Sequence, residues 1–280
     1  MPDNYLLKKS SIMENKSPII IGNWKLNGDT NDFRQTYIND LNSLFKTSME
    51  NIDVTICPTS IYINEFVQMT ASTSLNIGSQ NVSAFHIGAY SGETSAAMLK
   101  ELGCHLSIIG HSERREFFNE SNLDCNNKIK QLHQQNILPV LCIGESKNER
   151  SNNTTNEVLA KQLSESLSDI NVTSSKPLCV AYEPIWAIGS GASASPEIAQ
   201  ETHLFIREQL SIIFGKETSN QIHIIYGGSV NKDNAKDLLA EDDIDGLLIG
   251  GVSLDPAHFN QICDIANSTY STYISKINSH

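Results

Sequence analysis

Positive charge is scarce in this sequence: 20 Lys and Arg stand against 32 Asp and Glu among 280 residues, a formal net charge of -12. Phosphate backbones and anionic membrane surfaces need a basic face, so neither nucleic acid nor a membrane is expected as the main partner. An anionic ligand must then be held where the protein is locally positive. Long apolar runs are missing too. The opening MPDNYLLKKSSIMENKS offers only Tyr5, Leu6 and Leu7 as an apolar cluster, too little for a signal-peptide core, and no run approaches the length of a membrane span. A cytoplasmic location is expected. Residues 1–16 read as a polar, flexible N-terminal tail, with Met13 a second candidate start.

The six cysteines, Cys57, Cys104, Cys125, Cys142, Cys179 and Cys263, form no C-x-x-C pair, and three fall inside apolar strand-like runs. They read as reduced core thiols rather than a disulfide framework. H-E-x-x-H is absent, and no His pairs with another His, Cys or carboxylate at a metal-ligand spacing. Neither a metal nor any other cofactor is expected.

What the sequence does have is a recurring short β-branched run. PIIIGN (18–23), DVTICP (53–58), LNIGSQN (75–81), LSIIG (106–110), ILPVLCIG (137–144), PLCVAYE (177–183), IHIIYGG (222–228) and DGLLIGG (245–251) are each as long as a buried strand. Most are apolar on both faces, which suits parallel strands covered on both sides. Helical periodicity lies between them: Phe33, Tyr37, Leu41, Leu44 and Phe45 share one face, as do Leu204, Ile206, Leu210, Ile213 and Phe214. Ser195 and Pro196 read as N-cap and first helical residue, and Gly215 as the stop. SKNERSNNTTNE (146–157) reads as a polar loop before a helix. This α/β alternation, repeated about eight times over residues 17–280, predicts a single (β/α)₈ barrel of parallel strands, with a doubly wound open sheet as the alternative.

A barrel of this kind carries its chemistry at the C-terminal ends of its strands. Those ends hold Asn23, Trp24 and Lys25; His111, Ser112 and Glu113; Glu183; Gly227, Gly228 and Ser229; and Gly250 and Gly251. Glu183 follows the apolar run Leu178–Tyr182 and precedes Pro184, which holds it extended. Burial there is expected to raise its pKa toward the range of a general base, a structural ion pair being the other reading. His111 opens the helix-like SERREFF, where a helix N-terminus is expected to keep the imidazole neutral. Lys25 brings a permanent charge for a developing enediolate. YGGSV and IGGVSL place backbone amides where a phosphate binds, and the loop WAIGSGASA offers the Gly189 N–H. A base, a neutral electrophile, an ammonium and a phosphate cradle describe proton transfer beside the carbonyl of a small sugar phosphate.

GNWKLNG (22–28), SIIGHSERR (107–115), CIGE (142–145), AYEPIWAIGSG (181–191), YGGSV (226–230) and GLLIGG (246–251) together resemble the motifs of the triosephosphate isomerase family, in family order. The resemblance implies interconversion of dihydroxyacetone phosphate and D-glyceraldehyde 3-phosphate, with Glu183 as base, His111 polarising the carbonyl, Lys25 and Asn23 on the substrate, and Glu113 supporting from behind. It also implies phosphate on the amides of Gly189, Ser229, Gly250 and Gly251, and a homodimer formed through AFHIGAYSGETSAAML (84–99). Ser91 and Ser190 stand where the family usually has Thr, and GASAS (191–195) where a Lys-Thr-Ala-like hinge is common. The rival readings are an aldolase or another sugar-phosphate isomerase on the same barrel, and a barrel kept only as a binding protein. A barrel aldolase needs a Schiff-base Lys, for which Lys25 is the strand-end candidate.

Overall fold

The computed structural model describes residues 16–45, 49, 51–187 and 194–277. Eight strands form one parallel sheet in the order β3-β2-β1-β8-β7-β6-β5-β4, with β1 Ile19–Asn23, β2 Asp53–Cys57, β3 Asn76–Ile77, β4 Leu106–Ile109, β5 Leu138–Ile143, β6 Cys179–Tyr182, β7 His223–Tyr226 and β8 Gly246–Ile249. Every predicted run contributes one strand. The sheet closes between β3 and β4, where Ser79 bridges Ser107. The Ser79 N–H donates to the Leu106 carbonyl (3.0 Å), the Ile108 N–H to the Ser79 carbonyl (2.9 Å), and the two serine hydroxyls lie 2.8 Å apart. The alternative of an open sheet is therefore excluded.

The helices, in chain order, are α1 Asn31–Leu44, α2 Ile63–Thr70, α3 Ala96–Glu101, α4 Ser112–Phe118, α5 Asn122–Gln134, α6 Lys147–Ser151, α7 Thr155–Ser166, α8 Pro196–Phe214, α9 Lys216–Gln221, α10 Ala235–Ala240 and α11 Pro256–Ile277. Ser195 caps α8 by accepting the Ile198 N–H, Pro196 is its first residue and Gly215 ends it, as the sequence predicts. The stretch 146–157 departs from expectation. It holds α6 and the start of α7, because Ser146 and Glu149 form a reciprocal capping box that satisfies the free donors of a short, polar helix.

Two apolar layers account for the strands' double burial. Side chains such as Ile21, Ile108, Val140, Ala181 and Leu248 fill the barrel, joined there by Cys57, Cys142 and Cys179. The outward-facing set, including Ile20, Val54, Ile56 and Ile224, packs against helix residues such as Leu41, Phe66, Ile206 and Phe259. All six cysteines are buried and unpaired, and burial pushes the three thiols inside the barrel well up.

At the opposite end from the predicted chemistry, buried charges pin the strand starts together. Lys16 is buried and donates to Asp245 (2.9 Å) and to the Ile222 carbonyl (2.8 Å), so the last residue assigned to the N-terminal tail is part of the barrel's foot. Residues 1–15 lie outside the described residues. Arg207 reaches Asp245 (2.7 Å) and Asp243 (3.2 Å) from α8. Asp245 also accepts the Ile224 N–H (2.8 Å), joining β8 to β7 through a side chain. Between these two strands only Tyr226 and Leu247 are in register.

His203, on α8, has no exposed surface, and its Nδ1 lies 3.0 Å from the Asp243 carbonyl. Burial pulls its pKa down to about 4. A histidine held neutral in the fold while the unfolded chain protonates near pH 6.5 contributes stability above that pH and loses it as pH falls toward 4. The full loss is worth roughly 3 kcal/mol. Urea titrations of wild type and His203→Gln between pH 7 and pH 4 are expected to converge as the pH drops; curves that stay parallel would exclude this histidine as an acid-sensitive element.

Candidate active site

The C-terminal strand ends converge on one cavity of about 210 Å³, lined by Asn23, Lys25, His111, Glu183, Gly227, Gly228, Ser229, Val230, Leu248, Gly250, Gly251 and Val252. Seven sequence-predicted residues therefore meet in one place. Gly189, the eighth, lies outside the described residues, as do Ser190 and 191–193. Glu113 stands beside the cavity, bonded to Lys25. Val230, Leu248 and Val252 were not anticipated; they sit within or just beside the quoted strand-end motifs and supply apolar wall.

The first strand end is built by its aromatic neighbour. Trp24 turns outward and meets Tyr37 of α1 (ring centroids 4.6 Å apart, planes at 85°) and Phe66 of α2 (5.0 Å, 89°). Edge-to-face pairs of this kind contribute about 0.5–1.5 kcal/mol each beyond burial. With Trp24 anchored, Asn23 and Lys25 face the cavity. Lys25 has the left-handed φ of 53°, which costs a non-glycine residue about 1–3 kcal/mol. Hydrogen bonds hold it there: its N–H donates to Asn23 Oδ1 (3.0 Å) and its carbonyl accepts from Gln80 Nε2 (2.8 Å), which also donates to the Cys57 carbonyl (3.0 Å). Gln80 carries no sequence signal for this task. Lys25 Nζ donates to Glu113 Oε1 at 2.6 Å.

His111 is the N-cap of α4. Its Nδ1 accepts the Glu113 N–H (3.2 Å), so the ring's proton sits on Nε2, which lies 3.0 Å from Glu183 Oε1. The other Glu183 oxygen accepts the Ser112 N–H (3.0 Å). Glu183 itself leaves β6 with its N–H on the Ile143 carbonyl (2.7 Å) and is almost fully buried. Two glycines make room for it. A Cβ on Gly227 would fall 2.9 Å from Glu183 Cγ, and one on Gly144 would fall 1.8 Å from the Glu183 carbonyl oxygen.

Both titration expectations are reversed. Burial does push the Glu183 carboxyl up, but His111, the Ser112 N–H and Lys25 together outweigh it and hold the group below the ordinary glutamate range. Burial likewise pulls His111 down, yet the carboxylates of Glu183 and Glu113 overcome burial and raise it above an ordinary histidine. The sequence reading lacked the one fact that decides both signs, namely that Glu183 and His111 face each other. The Glu113 N–H occupies Nδ1, which leaves Nε2 to carry the proton that faces Glu183. An ionised carboxylate beside an Nε2–H donor is the outcome.

Beyond the undescribed segment the chain returns at Ala194, whose N–H donates to Tyr226 Oη (3.1 Å). On the β8 side, Gly250 stands so close to Lys25 that a Cβ there would lie 3.5 Å from Lys25 Cε. The Gly250 carbonyl is held by the Ser253 N–H (2.8 Å) and hydroxyl (2.7 Å), at the start of the 3₁₀ turn Gly251–Leu254.

A profile of triosephosphate isomerase matches residues 18–266. The chain belongs to the triosephosphate isomerase family. Its triosephosphate isomerase relatives include that of Fusobacterium nucleatum, 41% identical over 249 residues that span 89% of this chain and 98% of the relative. The triosephosphate isomerase of Colwellia psychrerythraea is 41% identical over 255 residues, 90% of this chain and 98% of its own. The crystal structure of triosephosphate isomerase from Bartonella henselae superposes with a TM-score of 0.79 at 33% identity, covering 89% of this chain and 98% of that one. The family interconverts dihydroxyacetone phosphate and D-glyceraldehyde 3-phosphate, a step of glycolysis and gluconeogenesis.

Proposed function

We propose that Glu183, His111 and Lys25 carry this isomerisation here, without a cofactor. The observation that supports it most directly is the pairing of an ionised, buried carboxylate with an Nε2–H donor 3.0 Å away, both on the wall of the cavity. Glu183 takes a proton from C1 of dihydroxyacetone phosphate, and the C–H electron pair becomes the double bond of an enediolate while the carbonyl electrons move onto oxygen. His111 donates from Nε2 to that oxygen, and the Lys25 ammonium stabilises the negative charge. His111 then takes the proton of the C1 hydroxyl as Glu183 returns its own to C2: the C1–C2 double-bond pair forms the new C–H bond and the O–H pair closes the aldehyde carbonyl of glyceraldehyde 3-phosphate. Asn23 orients Lys25 and the substrate, and the amides of Ser229, Gly250 and Gly251, with Gly189 from the undescribed segment, receive the phosphate. Glu113 pairs with the Lys25 ammonium at 2.6 Å from outside the cavity lining.

A homodimer completes the proposal. The 84–99 segment exposes Phe85, Ile87 and Tyr90, with the Phe85 and Tyr90 rings stacked at 3.9 Å. A groove lined by Thr59, Gln80, Glu113, Phe117 and Phe118 opens beside Asn23 and Lys25 and suits such a segment from a second copy. The unpaired, buried cysteines fit a reducing compartment, the cytoplasm. The reaction is tested with purified protein and glyceraldehyde 3-phosphate in EDTA, reading dihydroxyacetone phosphate through glycerol-phosphate dehydrogenase. Rapid conversion is expected from a species that sediments at twice the chain mass. A folded protein that converts nothing would overturn the reaction, and one that converts rapidly as a monomer would overturn the dimer.

A further inference from the structure

Both sides of Glu183 are fastened to one buried carboxylate. Glu145 follows β5 and has no exposed surface; its Oε1 accepts the Tyr182 hydroxyl (3.1 Å) and the Trp186 indole N–H (2.8 Å). Its backbone carbonyl accepts the Ile185 N–H (3.2 Å). The residue before the proposed base and two of the three after it are thus tied to Glu145. A carboxylate this deep needs a counter-charge, and Arg150 of α6 supplies it. Arg150 Nη1 lies 3.2 Å from the same Oε1, while its guanidinium carbon sits 5.0 Å from the Trp186 ring centroid. Arg150 therefore touches both partners of the Glu145–Trp186 bond, and it is not itself part of the cavity lining.

We infer that Arg150 is a positioning residue for the isomerisation, clamping Glu145 and Trp186 so that the segment Tyr182–Trp186 holds the Glu183 carboxylate at its reacting angle. The planar fork suits this double task, an ion pair at one edge and a ring against its face, in a way a lysine does not. Without it, Glu145 becomes a buried anion with no cation, and its two side-chain anchors weaken together. Because Glu183 acts on the reacting carbon whereas the phosphate is held by other strand ends, a displaced segment should lower kcat and leave substrate affinity largely alone.

The inference rests on the proposed reaction, and the test separates the two. Wild type, Arg150→Met, Arg150→Lys and the double variant Glu145→Gln/Arg150→Met are assayed with glyceraldehyde 3-phosphate, with near-UV circular dichroism and tryptophan emission recorded on the same samples. Wild-type turnover judges the reaction; the ratio of variant to wild type judges Arg150. Arg150→Met is expected to lose about 10–10²-fold in kcat with KM changed less than about threefold. Its tryptophan emission should shift, since Trp186 loses the guanidinium from its face, and Arg150→Lys, which keeps the charge beside Glu145 but not the planar fork, should recover only part of the loss in kcat. The double variant leaves no unpaired buried charge, so it keeps the fold even where the single variant does not, and its kcat should remain low because the clamp is still gone. Wild-type-like kcat in a folded Arg150→Met, or in the double variant, would overturn the inference.

Discussion

Glu183→Gln is expected to lower kcat by roughly 10²–10⁴-fold, the range of a general base, while the protein stays folded. The isosteric amide keeps an oxygen for the Ser112 N–H, so the strand end retains its shape. What it removes is the charge. The same substitution removes the leading carboxylate among those that raise His111, so the His111 titration followed by NMR should move toward lower pH. Turnover within about tenfold of wild type in a folded Glu183→Gln would take the base assignment away from this residue. A collapse in kcat with an unmoved His111 titration would mean that the two side chains do not face each other in solution.

Gly144→Ala should be nearly as damaging by a purely steric route. The added methyl would have to occupy a point 1.8 Å from the Glu183 carbonyl oxygen and 2.7 Å from its carbonyl carbon, and both are backbone atoms, which no rotamer change relieves. Either β5 or the Glu183 backbone must shift. Overpacking of this sort costs about 1–3 kcal/mol, a fall in Tm of roughly 3–10 °C for a chain of this size. Displacing the proposed base by about 1 Å is expected to lower kcat by about 10²-fold. The combination distinguishes it from Glu183→Gln, which touches kcat with little change in Tm. An unchanged Tm and kcat in Gly144→Ala would show that the strand ends yield far more easily than the packing implies.

Much of this was legible in the chain. Parallel strands buried on both faces leave apolar runs that stand out, and all eight did; Ser195-Pro196 and Gly215 marked the ends of α8 because caps are local chemistry. β3 proved shortest, Asn76–Ile77, since its run carries Asn76, Ser79 and Gln80, whose side chains serve Asp53, the barrel seam and Lys25 respectively rather than an apolar layer. The helix α6 was missed although Ser146 and Glu149 spelled its capping box, because a five-residue polar helix has no apolar periodicity to show. The strand-end residues Asn23, Lys25, His111, Glu183, Ser229, Gly250 and Gly251 stood out by strand-end position and by the family motifs around them, and all seven line the cavity. The signs of the Glu183 and His111 titrations were not legible, because they depend on a contact between residues 72 positions apart in the chain, and no run of sequence reports which carboxylate a ring will face. For the same reason the CIGE motif gave no hint that its glutamate fastens the next strand end.

The ring of strands is joined least where β3 meets β4 and where β7 meets β8, two seams on opposite sides of the barrel. Seen that way the barrel is a pair of four-stranded half-shells. One carries Asn23, Lys25, Gly250 and Gly251; the other carries His111, Glu183 and Ser229. The ammonium and the proposed base sit on different shells, and so do the amides proposed to receive the phosphate, Gly250 and Gly251 on one and Ser229 on the other. Neither shell owns the proposed site, so turnover is expected to report how well the two halves are seated against each other.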